Sequence, residues 1–320
     1  MSKEIGIYPD FKRRKPSMLR VMSSRWALKL MNAIVARDKG ARGEFVKVAI
    51  GDTGINKVHP SLPKDCEIFI GASHEHPFDE NGHGSNCLSI FFSIPDKAKF
   101  LVGKIADKHG NGSFAEMAGL ITHAADQGCR VISLSLGARP TDYSKRVDDA
   151  IRYAWGKGCI VVAASGNEGT AVGFPANHEL VLAVGAIDKN GVVASFQNFG
   201  MKLDWVAPGV DILGASVGTG DMIASGTSQA CPFVAGMLTI LIGEYYAKNG
   251  VFPDPLEAIR LLKLNSKDLY AKGFDTKTGY GLPYALGTDN AFKYDGEVTP
   301  EPEIVCNDGW FKKLIKSLWA

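Results

Sequence analysis

Three observations predict an α/β fold in three layers, a mostly parallel central sheet with helices on both faces. Five short runs are continuously apolar: "KVAIGD" (47–52), "KFLVGKI" (99–105), "RVISLSL" (130–136), "CIVVAAS" (159–165) and "LVLAVGA" (180–186). Amphipathic stretches over 83–94, 113–127 and 142–157 fall between them. Strands buried on both faces read as unbroken apolar runs, and the crossover helices must cover both faces. Glycine is abundant, 36 of 320 residues, which suits tight turns and close backbone approaches.

In chain order, the first strand ends on the turn "GDTG", and the helix over 83–94 opens after "DENG". The strand over 159–165 runs into the glycine-rich "GNEG". A long helical run over 228–247 follows "SGTSQACP", and another over about 254–265 follows "FPDP". No internal repeat is present. The ends read as separate. Residues 1–42 form a basic, partly periodic N-terminal extension, and 43–290 carry the α/β pattern. Residues 291–320 join an acidic, proline-containing linker to the basic amphipathic "WFKKLIKSLWA".

Composition narrows the function. A hydrophobic fraction of 45% and a charged fraction of 22% are ordinary for a globular chain with a sizeable core. A net charge of +2 gives no strong field for polyanions, so no nucleic-acid partner is expected. The first 20 residues lack the apolar core of a secretory signal, and no apolar run is long enough to span a bilayer. The six cysteines have no CxxC spacing, and several sit in strand-like runs, as buried free thiols in a reducing compartment do. The expected location is the cytoplasm, and no metal site is expected.

Ligands of open α/β sheets bind beyond the carboxyl ends of the strands. Asp52 ends the first strand, His83 opens a helix between two glycines, Asn167 follows the fourth strand, and Ser228 opens the long helix. Taken singly, a turn aspartate, a helix-start histidine and a Ser/Thr helix cap are all ordinary. Together they supply an acid, an imidazole, an amide donor and a hydroxyl at one sheet edge, the parts needed for acyl transfer.

The blocks "AIGDTG", "NGHGSN", "AASGNEG" and "GTSQACP", in that order, resemble the signature blocks of subtilisin-like serine proteases, over residues from about 21 to 290. The resemblance implies that Ser228 is the nucleophile, His83 the general base and Asp52 the residue that orients and charge-stabilises it. It implies an oxyanion hole made by the Asn167 side chain and the Ser228 backbone N–H, with Thr227 in support. "SLSLG" would give one groove wall through Ser135, Leu136 and Gly137, and "HGNGSFAEM" the other through Gly110, Asn111 and Gly112. Phe114, Met117 and Leu136 would line an apolar pocket, with core packing the plain alternative for Phe114 and Met117. Ala164, Ser165, Gly166 and Gly173 would line the primary pocket, where a glycine leaves room for a large side chain, with Glu168 at its rim.

The sequence also departs from common members. Asn86 stands where histidine is usual, Cys87 is expected under His83, and Cys231-Pro232-Phe233 replaces a small-Pro-His run. The chemistry requires no cofactor. Structural calcium is compatible with the resemblance, but the usual strong-site loop is missing between the His83 helix and the next strand. The short extension resembles that of intracellular subtilisins: "EIGIYPDF" is expected either to lie in the groove as an inhibitory strand, with Pro9 resisting cleavage, or to be a docking arm or tail. The C-terminal segment is expected to dock on the protein's own body, a partner or an anionic membrane surface. The activity implied is a serine endopeptidase acting on proteins or peptides through an acyl-enzyme. The alternatives are a catalytically silent binding module of this fold and a dedicated maturation or self-processing protease.

Overall fold

The structure is a computed structural model that describes residues 4–8 and 25–285. The expectations for Pro9 and for the C-terminal segment lie outside these residues. Strand β1 (Ile5–Ile7) is followed by helices α1 (Arg25–Leu30) and α2 (Ala33–Asp38), then β2 (Lys47–Asp52), β3 (Cys66–Ile70), α3 (His83–Phe92) and β4 (Lys99–Lys104). Next come β5 (Asn111–Gly112), α4 (Phe114–Asp126), β6 (Val131–Leu134), β7 (Leu136–Gly137), α5 (Lys145–Gly156), β8 (Ile160–Ala164) and β9 (Val181–Ile187). The chain continues through β10 (Trp205–Pro208), β11 (Ile212–Ala215), β12 (Asp221–Ala224), α6 (Thr227–Asn249), α7 (Pro255–Leu264), β13 (Ser266–Lys267) and β14 (Leu282–Pro283).

Seven strands form one parallel sheet in the order β10-β9-β8-β6-β2-β4-β3. The five expected strands are its centre. Edge strand β3 is half-buried or exposed along its whole length, so its sequence lacks the continuous apolar run of its neighbours. The α4 and α5 helices pack together against β2 and β8, while α3 and α6 pack together, α3 against β2 and α6 against β6, β8, β9 and β10. Composition and length alone would let α6 cross a bilayer, yet most of it is buried within the fold, as the core helix of the molecule.

One contact shows how closely the layers fit. Gly51 and Gly103 face each other in the β2–β4 register. A Cβ on either would strike the Leu120 side chain of α4. The paired glycines thus make a recess that Leu120 fills, and Leu120 is wholly buried.

Residues 25–42 are part of the main body. Ala27, Met31, Ala33 and Ala36 of the α1–α2 region are buried in the main core. The Asn32 amide donates to the Ala285 carbonyl at 2.7 Å, and Ala285 N–H donates to Met31 O at 3.1 Å, closing the start of the body onto its end. The expected strand over 130–136 divides at Ser135: β6 stays in the parallel sheet, and β7 leaves it to pair with β1. The link from α3 to β4 is short, residues 93–98.

Leu120→Ala is expected to cost about 2–5 kcal/mol and Gly51→Ala about 1–3 kcal/mol by overpacking. The double variant should be less destabilised than the sum of the two, because the truncated side chain makes room for the new methyl. Denaturant unfolding of the three variants measures this.

Candidate active site

Adjacent strands β2, β6 and β8 deliver Asp52, Ser135 and the Ser165–Asn167 turn to one edge of the sheet. The N-termini of α3 and α6 bring His83 and Ser228 to the same edge.

His83 Nδ1 lies 2.7 Å from Asp52 Oδ1, with both residues fully buried. A buried ion pair needs further hydrogen bonds to offset desolvation. Asp52 Oδ1 also accepts Thr53 N–H at 2.8 Å. The Thr53 hydroxyl donates to Asp79 Oδ1 at 2.8 Å and accepts Gly84 N–H at 2.9 Å. Asp79 in turn accepts the backbone N–H groups of Asn81, Gly82 and Ser85 at 2.7–3.0 Å. Asp79 therefore ties the entry of α3 to β2, using orphan donors of the helix N-terminus.

Burial alone would lower the His83 pKa. Burial is the largest single influence, but the Asp52 carboxylate and the Cys87 sulfur beside the ring together outweigh it, and the net direction is upward, well above the ordinary histidine value. Cys87 Sγ stands 3.8 Å from Nδ1 and 3.9 Å from Nε2, so it lies over the face of the imidazole. Asp52, His83 and Cys87 bring a carboxylate, an imidazole and a thiol within 4.8 Å of one another, a donor set that metals accept. The sulfur lies off the ring plane, however, while the in-plane Nδ1 position is taken up by Asp52.

Ser228 is fully buried. Its hydroxyl donates to Ser135 O at 3.0 Å, and no hydrogen bond joins it to His83 among the described residues. The Ser228 carbonyl accepts the Ser135 hydroxyl at 2.8 Å and the Cys87 thiol at 3.4 Å. Pro232 explains why that carbonyl is available: it stands at the i+4 position inside α6 and has no N–H to donate. Cys231 is buried packing, its thiol donating to Val162 O at 3.4 Å and Leu134 O at 3.7 Å.

Asn167 Oδ1 accepts both the Thr227 N–H and the Thr227 hydroxyl at 2.9 Å. The Thr227 oxygen also accepts Gly166 N–H at 3.2 Å. With its carbonyl end held this way, the Asn167 amide presents its NH2 end on the other side, 3.1 Å from the place a Cβ on Gly226 would occupy.

The expected groove walls fall on β5 and β7, and β1 lies between them, antiparallel to both. Ile5 pairs with Gly112, Gly6 with Asn111 and Gly137, and Ile7 with Leu136. Ile7 N–H also donates to Gly110 O at 3.0 Å. The next residue, Tyr8, is 6% exposed, and its ring tip packs where side chains on Gly137 and Gly173 would otherwise sit. Burial, with Glu168 nearby, pushes the Tyr8 phenol up. Gly173 N–H donates to Ser165 O at 2.9 Å, which ties together two of the residues expected to line the primary pocket.

The other expected groove residues divide. Ala164 is buried within β8. The Ser165 hydroxyl turns to Asn198 O at 3.2 Å. Gly166 takes φ 110° and abuts the Asn198 and Glu168 side chains, which bond each other at 2.8 Å. Met117 is fully buried, and half-buried Phe114 meets Phe174 edge-on at 5.6 Å. Sequence reasoning put Glu168 at the rim and considered "EIGIYPDF" for the groove, but it missed Asn198 as the partner of Glu168, Tyr8 as the residue against Gly137 and Gly173, and Gln229. The one signal for Tyr8 was its place before Pro9 in the strand-like "EIGIYP".

Because the Asp52 carboxylate raises the His83 pKa, the imidazole should stay protonated to a pH above its ordinary 6.5. Asp52→Asn removes that charge, so its His83 should titrate at lower pH than the parent. NMR titration of the ring protons measures the difference.

The sequence model described as "Subtilase family" matches residues 43–281. The chain is 36% identical to thermitase of Thermoactinomyces vulgaris over 269 residues, 79% of this chain and 89% of that protein. It is 37% identical to the thermophilic serine proteinase of Bacillus sp. strain AK1 over 221 residues, 64% of this chain and 54% of the relative. It is 35% identical to subtilisin Savinase of Lederbergia lenta over 231 residues, 68% of this chain and 83% of that enzyme. The fold, the order of the motif residues around one sheet edge and these matches agree: the chain belongs to the subtilase family.

Proposed function

We propose that this chain is a serine endopeptidase that hydrolyses peptide bonds through an acyl-enzyme at Ser228. The observation that carries the reading is the buried 2.7 Å Asp52–His83 contact at the strand edge where Ser228 opens α6. A hydroxyl is a weak nucleophile until a base takes its proton, and a carboxylate-paired imidazole in its neutral form is such a base, its raised pKa making that form the stronger base and confining it to higher pH. In the reaction the Ser228 hydroxyl turns from Ser135 O to His83 Nε2. The tetrahedral oxyanion is held by the Asn167 side-chain amide and the Ser228 N–H at the positive end of α6. His83 then passes the proton to the departing amine, and water reverses the sequence to release the acid. Asp52, His83, Ser228 and Asn167 are all present, which disfavours the catalytically silent module.

The substrate enters as an extended strand between Gly110–Gly112 and Ser135–Gly137. The placement of β1 there supports an inhibitory role for the N-terminal segment: it lies as a substrate does, with Tyr8 in the primary pocket. Gly173 and Gly137 leave the pocket wide, which suits a large side chain before the cut. The chemistry needs no cofactor, and the short α3–β4 link leaves little chain for a cation-binding loop. The five described cysteines are free thiols, which supports a reducing, intracellular setting.

A fluorophosphonate probe should label the protein once, and Ser228→Ala should abolish the label, as read by intact-mass spectrometry. Deleting residues 2–18 should raise the initial rate on a peptide substrate and remove any lag, because the groove is then empty at the start. A progress curve identical to that of the full chain would rule out inhibition by this segment.

A further inference from the structure

Gln229, the residue after the nucleophile, is fully buried, and its Oε1 has no hydrogen-bond partner. A buried unpaired acceptor costs stability, so its place calls for a physical reason. Its orientation is fixed by a relay of amides. The Ala215 carbonyl can only accept, so the group facing it at 3.3 Å must be the Asn86 NH2. Asn86 Oδ1 then faces Gln229 and accepts its Nε2 at 3.2 Å. That leaves Gln229 Oε1 aimed the opposite way, 2.9 Å from where a Cβ on Gly226 would stand. Helical side chains lean toward the helix N-terminus, so this oxygen sits at the mouth of α6, beside the Ser228 N–H and the Asn167 amide.

An acceptor at that place has one use in the reaction. It repels the oxyanion, which needs donors. It attracts the N–H of the scissile peptide. As Ser228 Oγ bonds to the carbonyl carbon, the nitrogen loses its conjugation and must turn its lone pair toward His83. Its N–H is thereby swung away from the imidazole and needs a new acceptor. We propose that Gln229 Oε1 accepts the hydrogen bond of the reacting N–H during acylation and so favours cleavage of amides over esters. The Oγ–C bond forms, the C–N bond breaks, and the proton from Ser228 reaches the nitrogen through His83. Gln229 accepts a hydrogen bond and takes no proton. This inference rests on the endopeptidase reading above.

The test compares an anilide or peptide substrate with an ester of the same acyl group, whose leaving oxygen carries no hydrogen. Both are measured on protein whose active sites have been titrated. Gln229→Met and Gln229→Ala should each lower the amide-to-ester ratio of kcat/KM by about 3- to 10-fold, the worth of one neutral hydrogen bond. Gln229→Glu, which keeps an acceptor, should hold the ratio within about twofold of the parent. Equal fractional losses on amide and ester in the Met and Ala variants would show a structural role only and overturn the proposal, as would an unchanged ratio. If the parent protein hydrolysed neither substrate, the endopeptidase reading itself would fall.

Discussion

The buried Asp52–His83 contact is the constraint to which the surrounding structure answers. An ionised carboxylate cannot be left alone in a core, and an imidazole there would otherwise be driven neutral and unordered. The fold responds with successive shells: Thr53 on the carboxylate, Asp79 on Thr53, and the first backbone donors of α3 on Asp79. These bonds join the end of β2 to the start of α3, so the angle between strand and helix is set by the pair they enclose. A Cβ on Gly84 would meet Gly54 and Thr53, so glycine is what allows helix and turn to approach closely enough.

Ser228 is held by a different device. Pro232 withdraws the N–H that would cap the Ser228 carbonyl, and Ser135 and Cys87 take its place. Ser135 also accepts the Ser228 hydroxyl through its backbone. The residue that breaks the strand between β6 and β7 is thus the one that grips Ser228 from both ends. Strand β7 and the Ser228 hydroxyl therefore share a single anchor.

Much of this was legible in the residues. Continuous apolar runs and the glycine turns after them gave the central strands, and those turns located Asp52, His83 and Asn167. Less legible were features with no local signature. Edge strand β3 is half exposed and lacks an unbroken apolar run. Helices α1 and α2 are short, and their burial comes from a tertiary meeting with Ala285. The helix expected from 142 begins at Lys145, after the Ser144 cap position, because Pro140 and the Arg139–Asp142 turn come first. Gln229 reads in sequence as one more residue of an apolar helix. Only the direction of the Asn86 amide, set by a carbonyl 129 positions away, shows which end of it is unsatisfied.

Strand β1 also has a consequence in mass action. Sixteen residues separate Tyr8 from the start of α1 at Arg25. Because β1 belongs to the same covalent chain as β5 and β7, it meets them at a concentration set by that connection. The same peptide set loose would be diluted to the concentration of the protein itself. One break between the two therefore changes no strand pairing, yet makes the pairing depend on how much protein is present.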